Sequence, residues 1–391
     1  MKMIGVLMKY LVCDFYDNFE CIGSQCPSTC CAGWDILIDK ETNAFYDSVA
    51  GEFGDALRKN ILPVNETIYK FTLGQNGRCP FLTQENLCEI YQKLGPEKMC
   101  FTCRTYPRIV QQYGDISFCT LTFSCPEVSR MVLTKQTPVS FFFWEDKAKK
   151  CETDLETIDW NFFNTIMSCF TLSVDLLQNR TYPLSVRLRL LLIFTNTLQT
   201  MLDGHRDITL LLKTFSSPDY IREQAGPLLP LSSNLQSVFS AFMHFLSASK
   251  QKYENSRMTG LTKTLEDFLF SCEKAQLNER LHAAGSFLTS PDYDIQYEHL
   301  CVYFLFRYYF RAYETKKPLE EVAQLVYLLL IYRFYALPYC TDGKGIETGE
   351  QISLFSTISR VFDHNTSNLD ALSDNFKKDG KQDIGFLLSL I

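Results

Sequence analysis

Histidine is nearly missing from this chain. Only five occur in 391 residues, at positions 205, 244, 282, 299 and 364. The first half therefore cannot build a mixed cysteine–histidine metal site. Basic residues are also in deficit: 38 Lys and Arg against 45 Asp and Glu leave a net charge of −7. That excludes nucleic acid as the default partner, because phosphate binding draws on a positive face. The longest apolar runs are Leu190–Phe194, Val302–Phe306 and Val326–Tyr332. All are far shorter than the roughly 20 residues of a spanning helix. Residues 1–12 are interrupted by Lys9 and lack the small-residue cleavage site of a secretory signal. The expectation is a cytoplasmic protein with no membrane and no nucleic acid among its partners. A glycine-rich phosphate loop following a strand is also missing. Gly343-Lys-Gly345 is an isolated match between helices, so the common doubly wound nucleotide site is not expected.

Cysteine, by contrast, is abundant. Eleven of the sixteen lie before residue 126, where a uniform spread would put about five. In a reducing cytosol such a count points to metal ligands or redox chemistry rather than disulfides. The concentrated group is Cys21, Cys26, Cys30, Cys31, Cys79, Cys88, Cys100, Cys103 and Cys125. Cys26 and Cys30 can meet within one turn, and Cys100-x-x-Cys103 is the strongest metal-type pair. Cys30 and Cys31 are adjacent, and neighbours in extended chain point to opposite faces. Either one ligates while the other packs, or they serve two sites. Nine exceed the four ligands of one zinc or one four-iron cluster, so some are supporting, core or second-site residues. Without histidine the site is all sulfur, compatible with zinc or iron–sulfur. The C-x3-C-x2-C signature of radical enzymes is missed narrowly, because Gly33 stands where the third cysteine would be. Cys13, Cys119, Cys151, Cys169, Cys272, Cys301 and Cys340, isolated or in apolar pattern, read as core.

The pattern along the chain predicts an α+β protein, mainly α. A small cysteine-rich metal-binding domain with short strands (1–145) precedes a larger all-helical domain (146–391). An edge strand is expected at Tyr10–Val12 and a short strand at Trp34–Asp39. Asp39 then caps one helix carrying Phe45, Val49, Phe53 and Leu57 on a single face. A strand is expected at Glu66–Leu73 and a short helix at Asn86–Leu94. A hairpin at Ile109–Tyr113 and Ile116–Phe123 turns on Gly114-Asp115, and a helix capped by Ser124 follows. The charge-dense segment 145–159 marks the boundary. Helices are expected near 160–178, 184–203, 206–215, 231–249, 261–274, 293–315, 318–336, 349–363 and 382–390. The aromatic stretch Tyr297–Tyr313 reads as a buried central helix with Arg307 and Arg311 reaching outward. A self-association face is the alternative for it.

The runs Cys21-Ile-Gly-Ser-x-Cys-x3-Cys-Cys-x-Gly-Trp34, Cys79-Pro-Phe-Leu, Leu87-Cys-x-Ile and Met99-Cys-x-x-Cys-Arg-x-Tyr-Pro-Arg108 resemble those of the bacterial flagellin lysine-N-methylases. They are also similar to small cysteine-rich proteins described as zinc- or iron-chelating domains. The resemblance covers residues 15–130 and extends weakly to Tyr297–Tyr309. It implies a cytoplasmic enzyme that transfers methyl groups from S-adenosylmethionine to lysines of flagellin, with a cysteine-bound [4Fe–4S] cluster. All nine clustered cysteines fall on the family's motif positions. Which four bind iron does not follow from the match; Cys26, Cys30, Cys100 and Cys103 are the first choice. Arg104 and Arg108 are the candidate cofactor-binding residues, placed to pair a carboxylate. The blander role for both is to offset the charge of the thiolates. The rival readings are a non-catalytic zinc-binding interaction protein and an iron–sulfur redox module.

Overall fold

The computed structural model describes residues 7–150, 155–229, 256–271, 290–340, 344–364, 366–378 and 383–391, with positions 238, 273, 276–277 and 279–281 between them. Cys151, Cys272, His244, His282 and nearly all of the expected helix 231–249 lie outside the described residues.

The fold is α+β and mainly α, as expected. A four-stranded sheet has the order β5-β6-β1-β7, where β1 is Leu7–Cys13, β5 Arg108–Tyr113, β6 Ile116–Leu121 and β7 Phe141–Lys150. The first strand is therefore central, not an edge. It pairs parallel to β6 and antiparallel to β7, which suits its run of buried Leu11, Val12 and Cys13. The hairpin turns as expected at Gly114, whose φ of +58° requires glycine. The charge-dense Glu145–Lys150 is the second half of β7.

The segment between β1 and β5 forms a unit with a core of its own. A small sheet of β2 (Leu37–Asp39), β3 (Ile61–Pro63) and β4 (Ile68–Phe71) has the order β2-β4-β3. Asp39 caps α1 (Lys40–Ser48) by accepting from the Thr42 amide at 2.8 Å. The single helix expected here is two. It breaks at Val49-Ala50, and α2 (Gly51–Lys59) begins at a glycine with φ +78°. Ile36, Ile38, Tyr46, Leu57, Phe71, Phe81 and Ile90 close this core around Cys79 and Cys100. Two short helices complete it, α3 (Glu89–Leu94) and α4 (Phe101–Thr105).

The larger core joins the four-stranded sheet to the helices. In order these are α5 (Pro126–Leu133), α6 (Trp160–Leu177), α7 (Leu184–Asp203), α8 (Thr209–Phe215), α9 (Pro218–Leu228) and α10 (Ser256–Phe270). After them come α11 (Pro291–Tyr308), α12 (Arg311–Thr315), α13 (Pro318–Ala336), α14 (Thr348–Asp363), α15 (Thr366–Lys378) and α16 (Ile384–Ser389). Ser124 does not cap α5; Cys125 occupies that position without a side-chain bond. Helices α9 and α15 were not expected. The Gly226-Pro227 pair lies within the last turn of α9.

Pro318–Tyr339 has a mean hydropathy of 1.3 and is long enough to cross a membrane, yet 83% of its apolar window is buried inside the protein. It is apolar all round because neighbours cover it all round. Helix α11 is likewise buried, as the aromatic pattern indicated. Its Glu298 is fully buried and paired with Arg180 at 2.8 Å and with Arg187. Removing one partner of such a pair strands the other charge. Glu298→Ala should therefore lower unfolding free energy by about 3–5 kcal/mol, read from the urea midpoint. A change below about 1 kcal/mol would show that Arg187 finds another partner.

Candidate metal centre

Backbone pairing between distant loops assembles the thiols. The Cys79 amide donates to the Cys31 carbonyl at 2.8 Å, and Gly33 N–H to Gly77 O at 3.0 Å. Bridges Ala32↔Arg78 and Leu82↔Cys88 extend the zipper and bring the 79 and 88 segments together. Cys100 stands at the N-cap of α4 with Cys103 one turn on, and Arg104 N–H donates to Cys100 O at 2.9 Å. Two anchors hold that turn in place. Asp39 accepts from the Phe101 amide at 3.0 Å, and the Tyr46 hydroxyl donates to Lys98 O at 2.9 Å.

Cys31, Cys79, Cys88, Cys100 and Cys103 thereby line one small cavity with Ile36, Tyr46, Phe71, Ile90 and Met99. The donor set is sulfur alone, which suits zinc or iron–sulfur. The cavity measures about 10 Å³, the room of a single water-sized sphere. A larger group would enter only with side chains turned outward. Among the described residues no three Cys, His, Asp or Glu side chains converge as a lone ion demands. Four thiolates on one zinc stand about 3.8 Å apart, given a bond of about 2.3 Å. A cluster attaches each thiolate to its own iron and does not need that convergence.

A metal ligand must be a thiolate, and two positions lean that way. A hydrogen bond from Cys30 brings Cys31 down to about 7 and pushes Cys30 up. Cys100 is lowered by the Cys103 thiol, which is itself raised by that same bond. Burial pushes Cys79 up to about 12 and Cys125 up to about 11.

Of the first-choice set, Cys100 and Cys103 line the cavity, whereas Cys26 and Cys30 do not. Cys26 lies in the loop before it and donates to Ser28 O at 3.2 Å. Cys21 is exposed, and Cys125 is buried against the larger core. Cys13, Cys169, Cys301 and Cys340 pack in that larger core, and Cys119 is buried in β6.

The two arginines part company. Arg104 is exposed on an open groove of about 600 Å³ bordered by Asp39, Glu41, Phe45, Glu97, Lys98, Met99 and Phe101. The groove shares Met99 with the sulfur cavity. Arg108 instead lies over the Tyr16 and Phe19 rings at 5.6 and 5.5 Å.

Residues that sequence reading missed come from α14 and α10. Arg360 donates to the carbonyls of Ser28, Thr29, Ala32 and Ser124. Arg257 reaches the Ser28 hydroxyl. His364 stacks on Trp34 at 4.6 Å and meets the Ser124 hydroxyl at 2.8 Å; its imidazole is pushed down by burial. Trp34 in turn donates to Cys30 O at 2.7 Å. Beside them Asp363, 8% exposed, accepts from Thr122, Ser359, Tyr303 and Tyr308. The only sequence signal was polar residues ending an apolar helix.

Residues 171–390 match the family model described as the FliB lysine N-methylase C-terminal domain. The chain belongs to the FliB lysine N-methylase family. It is also 32% identical over 127 residues, 30% of its length, to the flagellar biosynthetic protein FliU of Salmonella muenchen. The same identity and share hold for the lysine-N-methylases of Salmonella choleraesuis and Salmonella typhimurium. The aligned stretch spans 73% of the former protein but only 31% of each of the latter two. No solved structure matches. The part matching the FliB model is the helical half, and it supplies Arg257, Arg360 and His364 to the cysteine loops.

Arg360→Ala should release those loops. A charged hydrogen bond is worth about 1.5–3 kcal/mol. Amide exchange at residues 28–33 should then quicken about tenfold or more, with α6 and α7 unchanged. Equal protection in both proteins would show that the clamp is redundant.

Proposed function

We propose that this chain is a protein-lysine N-methyltransferase that acts on flagellin in the cytoplasm, using S-adenosylmethionine and a [4Fe–4S] cluster held by cysteines. Membership of the family supports methyl transfer. The observation that carries the site is five thiols around one cavity, with a mixed-charge groove beside it. Three of the five thiols at Cys31, Cys79, Cys88, Cys100 and Cys103 would hold the cluster, one iron apiece, and would leave its fourth iron free of thiolate. Bound there, it would supply an iron able to take the amino and carboxylate groups of the cofactor.

The groove suits S-adenosylmethionine, a molecule with both charges and an aromatic base. Arg104 would pair its carboxylate, and Phe101, 60% exposed, offers a ring face. The acceptor lysine presents a different difficulty. Its ammonium has a pKa of about 10.4 and cannot attack until it gives up a proton to water. The amine then forms its N–C bond to the methyl carbon as the carbon–sulfur bond breaks, and S-adenosylhomocysteine leaves. Glu41 and Glu97 on the groove can orient the incoming ammonium.

Anaerobically purified protein should be brown and, with cofactor, should add 14-Da increments (one methylene each) to flagellin lysines in a mass spectrum. Arg104→Ala should raise the KM for S-adenosylmethionine about tenfold, the worth of one charged hydrogen bond, with kcat within about twofold. Unmodified flagellin from cluster-loaded protein would overturn the methylase reading. An unchanged KM would remove Arg104 from the cofactor site.

A further inference from the structure

The groove beside the sulfur cavity carries lysines of its own. Lys98 borders it, and the Lys98 ammonium lies over the Phe45 ring, 4.7 Å from the centroid. That is within the range at which a ring face holds a cation. The backbone beneath is fixed. The Lys98 amide donates to Gly95 O at 3.2 Å, and the Lys98 carbonyl accepts from the buried Tyr46. Arg104 donates to Glu97 O at 3.4 Å. The residue that would pair the cofactor's carboxylate is therefore tied to the turn that carries Lys98. The side chain itself is exposed, on a flexible four-carbon stem. Two other lysines also sit on rings: Lys93 over Phe53 at 4.4 Å and Lys316 over Phe162 at 3.6 Å. Neither borders the groove.

We propose that Lys98 is a site of self-methylation, to which the chain transfers a methyl group within its own groove. This rests on the reading that the groove holds S-adenosylmethionine. Lys98 and the cofactor then share one space, and no second molecule has to dock for amine and methyl carbon to meet. The Lys98 ammonium first gives up a proton to water. Its nitrogen then forms a bond to the methyl carbon as the carbon–sulfur bond breaks. The positive charge passes from sulfur to nitrogen, and S-adenosylhomocysteine leaves. The methylated ammonium keeps its charge, so the Phe45 ring still holds it. Lys40 also borders the groove, but the ring contact and the anchored turn single out Lys98. Lys93 and Lys316 share the ring contact without the groove, which makes them internal controls.

The test is a map of the protein's own lysines. Full-length, anaerobically purified protein is incubated with S-adenosylmethionine carrying a deuterated methyl group, with and without flagellin, and its peptides are read by mass spectrometry. The deuterium separates transfer in the tube from modification acquired in the cell. Label should collect on Lys98 and leave Lys93 and Lys316 bare. Its fractional rate should not change over a tenfold range of protein concentration, as transfer within one chain requires. Phe45→Leu, which keeps apolar bulk and removes the ring, should slow labelling of Lys98 about two- to fivefold. Label on Lys40 in place of Lys98, equal label on all exposed lysines, or a fractional rate that climbs with concentration would each overturn the proposal. Labelled flagellin beside an unlabelled Lys98 sinks this inference and leaves the methylase reading standing. Labelled Lys98 beside unlabelled flagellin does the reverse: self-methylation holds, and flagellin is not the substrate. With neither labelled, both fail.

Discussion

A buried carboxylate sets the geometry on which the rest depends. Asp363 closes α14 with four hydroxyl donors, from Thr122 after β6, Tyr303 and Tyr308 on α11, and Ser359 one turn back. An unpaired charge at that depth would cost several kcal/mol, so the helix end can sit only where those hydroxyls converge. Three residues back along the same helix, Arg360 is thereby delivered to the cysteine loop; one residue on, His364 is delivered to Trp34. One satisfied acid thus joins the sheet, the buried aromatic helix and the sulfur loops.

The two cores explain why the candidate site lies where it does. The small core between β1 and β5 is closed by aromatic and aliphatic side chains, with the thiols of Cys79 and Cys100 at its centre. A unit of this size buries little apolar surface, and small units commonly depend on metal or disulfide staples. All the described cysteines are free thiols. Thiol-bound metal is therefore both a chemical proposal and a structural one, because binding energy at such a site is also folding energy.

Much of the fold was legible from local pattern. The hairpin at Gly114, the Asp39 cap and helices such as α6, α7 and α13 follow from periodicity and capping chemistry, which act within a few residues. The failures have equally definite causes. The β1 strand reads as an edge because its two partners, β6 and β7, lie over a hundred residues away. The helix with Phe45 and Phe53 splits because Gly51 adopts positive φ, while the apolar spacing runs straight across the break. Proline and glycine near 226 mark a helix end rather than a gap between helices.

For the site, composition alone pointed to sulfur as the donor set: cysteine is concentrated where histidine is missing. Short spacing also put Cys100 and Cys103 side by side, because one helical turn separates them. Tertiary structure decided which of the nine share a space. Cys31 meets Cys79 through a backbone bond across a separation of 48, and Arg360 reaches Ser28 across a separation of 332. Sequence spacing constrains geometry only over a turn or two of chain. Beyond that range, the partner of each thiol is set by how loops pair and helices pack.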